Sequence, residues 1–469
     1  MRVLLVQPVA LLQPGHSPYC HEVALLGAEL ARRGWTVGLA LFRRFDEAAL
    51  AAAVAESRPD VFLLYLESLT ADLAFRLAEA LRTQRSAGLI LFGPYARRCP
   101  NEALSRAGVE AVATGPADAT VPAYLEQPGE SPGRLQARGM WINCATGVMR
   151  NPPALPPASL KDQPPPAREL YGLEPLLDLA GFAEVSVSRG GGTGARGAGQ
   201  AAVEQAPALP PSAPQAWPVL HRPVESVLRE MADLAGIHLD LVGFRITNSR
   251  WTAAPWWLRD FAGRYAREVG LPLRTTLHAP DVTAEVAARL AEAGCEEVRI
   301  NVGSGSALIR NDILGIDAPA EALASALSLL ARAGIRTAAR VEVGAAYETA
   351  VTLDETLQLL RRLDPDRVEA VLHYPQPGTP AHDAALENGL LVADPAGAHL
   401  AGRPALALPG LTEEELITAR EALPFAVHRP RTAALIRWTR RVKMGEGRTL
   451  YEVVLKPLLG PPVRKRRKP

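Results

Sequence analysis

"VSVSRGGGTGARGAGQ" occupies residues 185–200, and the reading of the fold turns on it. A strand-like apolar run, Val185–Ser188, breaks into glycines, and Gly192, Gly194 and Gly197 spell G-x-G-x-x-G. After a strand, that spacing marks a dinucleotide-binding turn if a helix opens at the third glycine and an acid stands about 20 residues on. After Gly197 the chain reads "AGQAAVEQAPALPPSAPQ", with Pro207, Pro210, Pro211 and Pro214. Only a short helix fits before proline stops it. The stretch therefore needs another explanation, and the chain on either side supplies it.

Upstream, residues 1–126 alternate strand and helix signals. "RVLLVQP", "TVGLALF", "DVFLLYL", "GLILFG" and "EAVATG" are short buried-strand runs. "YCHEVALLGAELARRG", "EAALAAAVAES", "TADLAFRLAEALRTQ" and "NEALSRAG" carry helical periodicity between them. This alternation predicts a parallel sheet covered on both faces, a doubly wound α/β domain with ligands at the carboxyl ends of its strands. Residues 127–182 form a connector, with a small hairpin at "GMWINCATGV" and a Pro-rich run unfit for helix or central strand.

Downstream, a second β/α series spans 183–395. Strands are expected at 183–188, 239–246, 273–278, 297–301, 336–343 and 368–374. Helices are expected at 223–235, 255–269, 283–293, 305–313, 318–333 and 353–362. Six units suggest an open or partial TIM-type barrel. Residues 396–469 add a helical extension that ends in "VRKRRKP", read as a solvated end.

Composition narrows the function. The chain has 469 residues, 48% hydrophobic and 22% charged, with net charge +1. That balance gives no global reason to expect nucleic acid or membrane as a partner. No run of about 18 apolar residues is present and the N-terminus lacks a signal-peptide pattern, so a cytoplasmic protein is expected. The four cysteines, Cys20, Cys99, Cys144 and Cys295, have no zinc-ribbon or C-x-x-C spacing. Trp251, Trp256 and Trp257 form an aromatic group after the second expected barrel strand, read as core packing or the lining of a cavity.

Six segments, in order, carry a resemblance. They are residues 58–118, "LKDQPPPARELY", "HRPVESVLREM", "EVAARLAEAGCEEVRINVGSGS", "LARAGIRTAARVEVGAAYETAVTLDETL" and "HYPQPGTPAHDAALENG". Together they resemble the cobalamin (B12)-binding radical SAM superfamily over roughly residues 1–390. The resemblance implies an N-terminal doubly wound Rossmann-like domain of the cobalamin-binding type, then a partial (β/α)6 TIM-type radical SAM barrel. It also implies a [4Fe-4S] cluster, S-adenosylmethionine (SAM) and cobalamin as cofactors. Cobalamin contacts fall at His16, Ser68, Gly93 and Gly115, and SAM contacts at Gly303, Ser304, Gly305, Ser306, Gly344, Glu348 and Thr349.

The opening stretch aligns with the family's cluster loop, S-R-G-C-P-x-x-C-x-[FY]-C. Ser188, Arg189 and Gly190 match, while Gly191, Ala195 and Ala198 take the three cysteine places. Thiolates hold such clusters, and glycine or alanine cannot. The cluster is therefore not expected, and residues 190–216 are expected to be mobile without it. Other SAM positions also change. Gly303 stands for a glutamate, Ile246, Thr247 and Asn248 for an acidic pair, and His278 near an arginine. Two function classes stay open. One is a non-catalytic homologue with a protein partner such as an active radical SAM enzyme, without nucleic acid or membrane. The other is an enzyme that keeps SAM, cobalamin or both for methyl transfer or another radical SAM-type modification.

Overall fold

The computed structural model describes residues 1–10, 17–84, 87–129, 131–172, 176–190, 218–442 and 449–459. The chain divides into two compact units, one running to Arg245 and the other starting at Ile246.

The first sheet contains β1 (Arg2–Pro8), β2 (Thr36–Phe42), β3 (Val61–Tyr65), β4 (Gly88–Phe92), β5 (Ala111–Ala113), β6 (Met140–Cys144) and β7 (Gly147–Arg150). Its order is β2-β1-β3-β4-β5-β6-β7. The first five strands are parallel. The hairpin expected near 139–148 forms and extends this sheet antiparallel, Ala111 facing Ile142. Alternate residues of each strand enter opposite cores. Leu4, Val6, Phe62 and Leu91 pack toward helices Glu47–Ser57 and Ala71–Gln84, and Val3, Leu5, Leu63 and Ile90 toward helices His21–Arg32 and Ala117–Leu125. The order 2-1-3-4-5 reverses direction at β1 and β3, which places a ligand-binding crevice beyond their carboxyl ends.

The second sheet runs β15-β14-β13-β12-β11-β8. Its strands are β8 (Phe182–Val185), β11 (Gly243–Ile246), β12 (Leu273–Leu277), β13 (Cys295–Gly303), β14 (Arg336–Val343) and β15 (Arg367–Leu372). From β12 to β15 all pairs are parallel. Together with the first sheet this is the two-part α/β architecture expected from the sequence.

Three expected elements differ in detail. The strand anticipated at 183–188 ends at Val185. Ser188–Arg189 becomes a separate strand, β9, paired antiparallel with β10 (Leu220–His221). The strand anticipated at 239–246 begins only at Gly243, because Leu241 N–H closes a turn on the His238 carbonyl and leaves Leu239 fully exposed. The helix anticipated at 305–313 widens into a π turn, Ile309–Ile313. There Leu314 N–H reaches back five residues to Ile309, and the Arg310 guanidinium donates to the Ser304 and Gly305 carbonyls. The segment expected to be mobile lies, from Gly191 on, outside the described residues. Beyond the second sheet, helices Glu413–Ala426 and Pro430–Arg441 form as expected. Among the described residues no helix is long and apolar enough to cross a membrane.

Candidate functional site

The carboxyl edge of the first sheet is densely polar. Behind β1, the buried Gln7 donates to the Pro18 carbonyl at 2.7 Å and accepts from the Tyr171 hydroxyl at 2.8 Å. Helix His21–Arg32 starts here without a side-chain cap. Glu22 in its first turn is held by the buried Arg97. Arg168 and Arg222 share Glu230, at 3.0 and 2.6 Å, and Arg189 pairs with Asp118 at 2.9 Å. Burial drives the His21 pKa well below its ordinary value, and Arg222, Arg168 and Arg189 add to the effect, so this imidazole is neutral.

Three of the candidate cobalamin positions, Ser68, Gly93 and Gly115, follow β3, β4 and β5 and make contacts within the domain. Ser68 accepts from Arg98 at 2.6 Å. Gly93 has φ +112°, and a Cβ there would sit 2.7 Å from the Leu66 carbonyl. A Cβ on Gly115 would meet Thr120 at 2.7 Å and Ala154 at 2.8 Å. The two glycines are thus required by internal packing and do not open a cradle, so fit to a corrin is not carried by these three residues. His16 lies outside the described residues.

The second sheet supplies a different surface. Its strands alternate, and from β12 to β15 the register aligns one charged face. Arg274 stands opposite Glu297, Thr276 opposite Arg299, Asn301 opposite Arg340, and Arg340 opposite Glu369. Arg299 meets Glu369 at 2.8 Å, and Arg367 meets Glu297 at 2.5 Å and also Glu369. Burial raises the Glu369 pKa, yet Arg299 and Arg367 outweigh it and hold the carboxyl below its usual range. The intervening residues Val298, Ile300, Val302, Ala339, Val341 and Val343 are buried.

This charged face ends in a titratable cluster at the carboxyl ends of β14 and β15, where barrel folds place their chemistry. Glu342 and His373 are both buried, and His373 Nδ1 lies 2.7 Å from Glu342 Oε2. Burial pushes Glu342 up, but the bond and charge of His373, with Arg340 and His399, bring its pKa below the usual value. Glu342 Oε2 accepts the Nδ1 proton and so orients the His373 ring. Its Nε2 is buried and has no hydrogen-bond partner among the described residues. Burial raises Glu348 to about 7 despite backbone N–H donors from Gly344 and Ala345, and Glu342 raises it further. Burial lowers His399 to about 4, with His373 and then Arg340 and Arg420 contributing.

The candidate SAM positions follow β13 and β14, and most of them make contacts within the fold. Gly303 has φ +70°, which favours glycine. Ser304 is fully buried beside Thr356, whose hydroxyl accepts from Gly305 N–H at 2.8 Å. A Cβ on Gly305 would lie 2.3 Å from the backbone of Glu355 and Thr356, so the loop docks directly on helix Ala350–Leu363. Ser306 N–H donates to Ser304 Oγ at 3.2 Å. Gly344 has φ +89°, and its N–H donates to Glu348. Thr349 caps helix Ala350–Leu363 through a reciprocal pair with Thr352.

Gly191, Ala195 and Ala198 lie outside the described residues. Asn248, in the acidic pair's place, accepts from Arg250 N–H at 2.9 Å. His278 comes after β12, its pKa lowered by burial, near the Arg250–Asp281 pair. Cys295 is a buried thiol, pushed by burial to about 12. The aromatic group is two-thirds core: Trp257 stacks on Phe261 and Trp251 meets that ring edge-on, whereas Trp256 is exposed.

Sequence reading missed Glu342, His373 and His399. A usable signal existed in the period-2 alternation of "EEVRINVG", "RTAARVEVG" and "RVEAVLH", which sets charges on one strand face.

Solved structures share this architecture. TsrM from Kitasatospora setae, a radical S-adenosylmethionine methyltransferase, superposes with TM-score 0.64 at 18% identity, covering 83% of this chain and 76% of that one. OxsB, a cobalamin-dependent S-adenosylmethionine radical enzyme solved with aqua-cobalamin and S-adenosylmethionine, gives TM-score 0.66 at 13% identity, covering 95% and 69%. A further TsrM structure holds cobalamin and a [4Fe-4S] cluster, with TM-score 0.62 at 18% identity, covering 82% and 75%. No family model matches the sequence, and no curated protein does. The chain has the fold of the cobalamin-dependent radical SAM enzymes.

Proposed function

We propose that this protein is a non-catalytic relative of those enzymes, a binding or partner protein that keeps their two-part body without reductive SAM cleavage. The observation that carries this reading is the donor set. Where a cluster loop needs three thiolates, the chain has Gly191, Ala195 and Ala198, which have no ligating side chain. A [4Fe-4S] cluster does not fit these residues. The partner proposed is an active radical SAM enzyme.

Anaerobic reconstitution of the full chain with iron and sulfide tests the proposal. The expected result is no stoichiometric cluster absorption and no 5′-deoxyadenosine from SAM under reduction. A stoichiometric cluster that cleaves SAM overturns it.

One observation favours a second reading, polar methyl transfer supported by SAM or cobalamin. Glu342 orients the buried imidazole of His373, whose Nε2 has no hydrogen-bond partner among the described residues, in the manner of a carboxylate that holds a general base. Calorimetric titration with SAM and with hydroxocobalamin decides this reading. Binding that weakens in His373→Gln supports it, and absence of binding by either compound removes it.

A further inference from the structure

The near-neutral total charge conceals a strong asymmetry. From Arg429 to the end the chain has thirteen Arg and Lys against Glu446 and Glu452, a surplus of eleven, although the whole chain is only +1. Five of those cations, Arg464, Lys465, Arg466, Arg467 and Lys468, fall in the last six residues.

The described part of this region is amphipathic in an unusual sense. Helix Pro430–Arg441 buries Ala433, Ile436, Thr439 and Arg440, and Arg440 pairs with Glu421 at 2.5 Å. Its opposite side is not polar throughout. Leu435 and Trp438, three residues apart on one face, are exposed, Trp438 by 58%. Arg431 lies one turn before Leu435 and Arg441 three residues after Trp438, and both are exposed. The short segment Tyr451–Leu458 comes next, with Tyr451 in the same small core as Ile436. It exposes Val453, Val454 and Leu458, the last by 77%.

We infer that the described surface of helix Pro430–Arg441, with Arg431, Leu435, Trp438 and Arg441, docks on an anionic lipid bilayer, lying at the interface without spanning it. Such a surface is complementary to a bilayer in both charge and apolarity. A cationic surface alone suits any polyanion, including nucleic acid. Exposed Trp, Leu and Val side chains between the cations give a phosphate backbone nothing to hold, whereas the boundary between headgroups and acyl chains accepts both kinds.

The test is flotation of the full chain with phosphatidylcholine vesicles and with vesicles of equal phosphatidylcholine and phosphatidylglycerol. Binding to the anionic vesicles is expected to be at least about tenfold tighter, and to fall at about 0.5 M salt, where the screening length is only a few ångström. The double variant Leu435→Ser, Trp438→Ser alters exposed side chains, and its circular dichroism is expected to match the parent. It should lose roughly tenfold in binding to the anionic vesicles as the apolar contact is removed. Equal binding to both vesicle types, unchanged binding of the double variant, or tighter binding to a DNA duplex than to the anionic vesicles overturns the inference.

Discussion

The two sheets solve burial differently. In the first, both faces of every central strand enter apolar cores, so β1 and β3 read as nearly unbroken apolar runs. In the second, each strand from β13 to β15 gives one face to the core and the other to Arg, Glu and His. A sheet buried twice has only its strand ends left for chemistry. A sheet buried once has a whole face available, and here that face is laced by ion pairs leading to Glu342 and His373.

The contrast can be broken most sharply in the first sheet. Leu63 is fully buried at the centre of β3. Leu63→Ala should destabilise the protein by about 2–5 kcal/mol in chemical denaturation, through lost transfer energy and a cavity. A loss under about 1 kcal/mol would show that this core is not tightly packed.

The second sheet should respond to pH instead. Glu348 has a raised folded pKa, about 7, so its contribution is full below the unfolded carboxyl value and is lost as pH rises toward 7. His399 has a lowered folded pKa, about 4, so its contribution is present above the unfolded imidazole value and lost as pH falls toward 4. Over the shared window the two slopes oppose. Glu348→Gln should expose a stability that rises with pH there, and His399→Gln one that falls, each by about 3 kcal/mol at most. Denaturation midpoints between pH 4 and pH 7 measure both. Parallel slopes in the two variants would contradict the assignment.

A smaller effect sharpens the comparison within the charged face. Glu369→Gln leaves Arg299 and Arg367 without their shared carboxylate. These groups keep some solvent contact, so the cost should be about 1–3 kcal/mol, measured by urea unfolding. An unchanged midpoint would mean that the lattice is only surface decoration.

Much of the architecture was legible because local signals agreed. β1, β2 and helix Glu47–Ser57 match their apolar patterns to the residue, with Asp46 capping the helix as its side chain favours. The elements that shifted depend on contacts distant in sequence. The π turn at Ile309 goes with Gly305 docking on Thr356, and β9 exists only because Leu220 returns to Arg189. The charged cluster was legible in principle, but Glu342 and His373 are 31 residues apart and only the β14–β15 register brings them together. Gly93, Gly115 and Gly305 stand out as motif positions, and only the folded structure shows the atoms that a side chain there would meet.

The β9–β10 ladder has a consequence for how this chain could change. Ser188–Arg189 and Leu220–His221 fasten the departure and return points of residues 190–219 to each other. The entropic cost of closing a loop grows only with the logarithm of its length, about 0.6 kcal/mol per doubling. Whatever lies between those two anchors can therefore be rewritten or resized with little effect on the body beneath. The sheet holds its shape by its own pairings, so the sequence and length between the two anchors can change while that shape is kept.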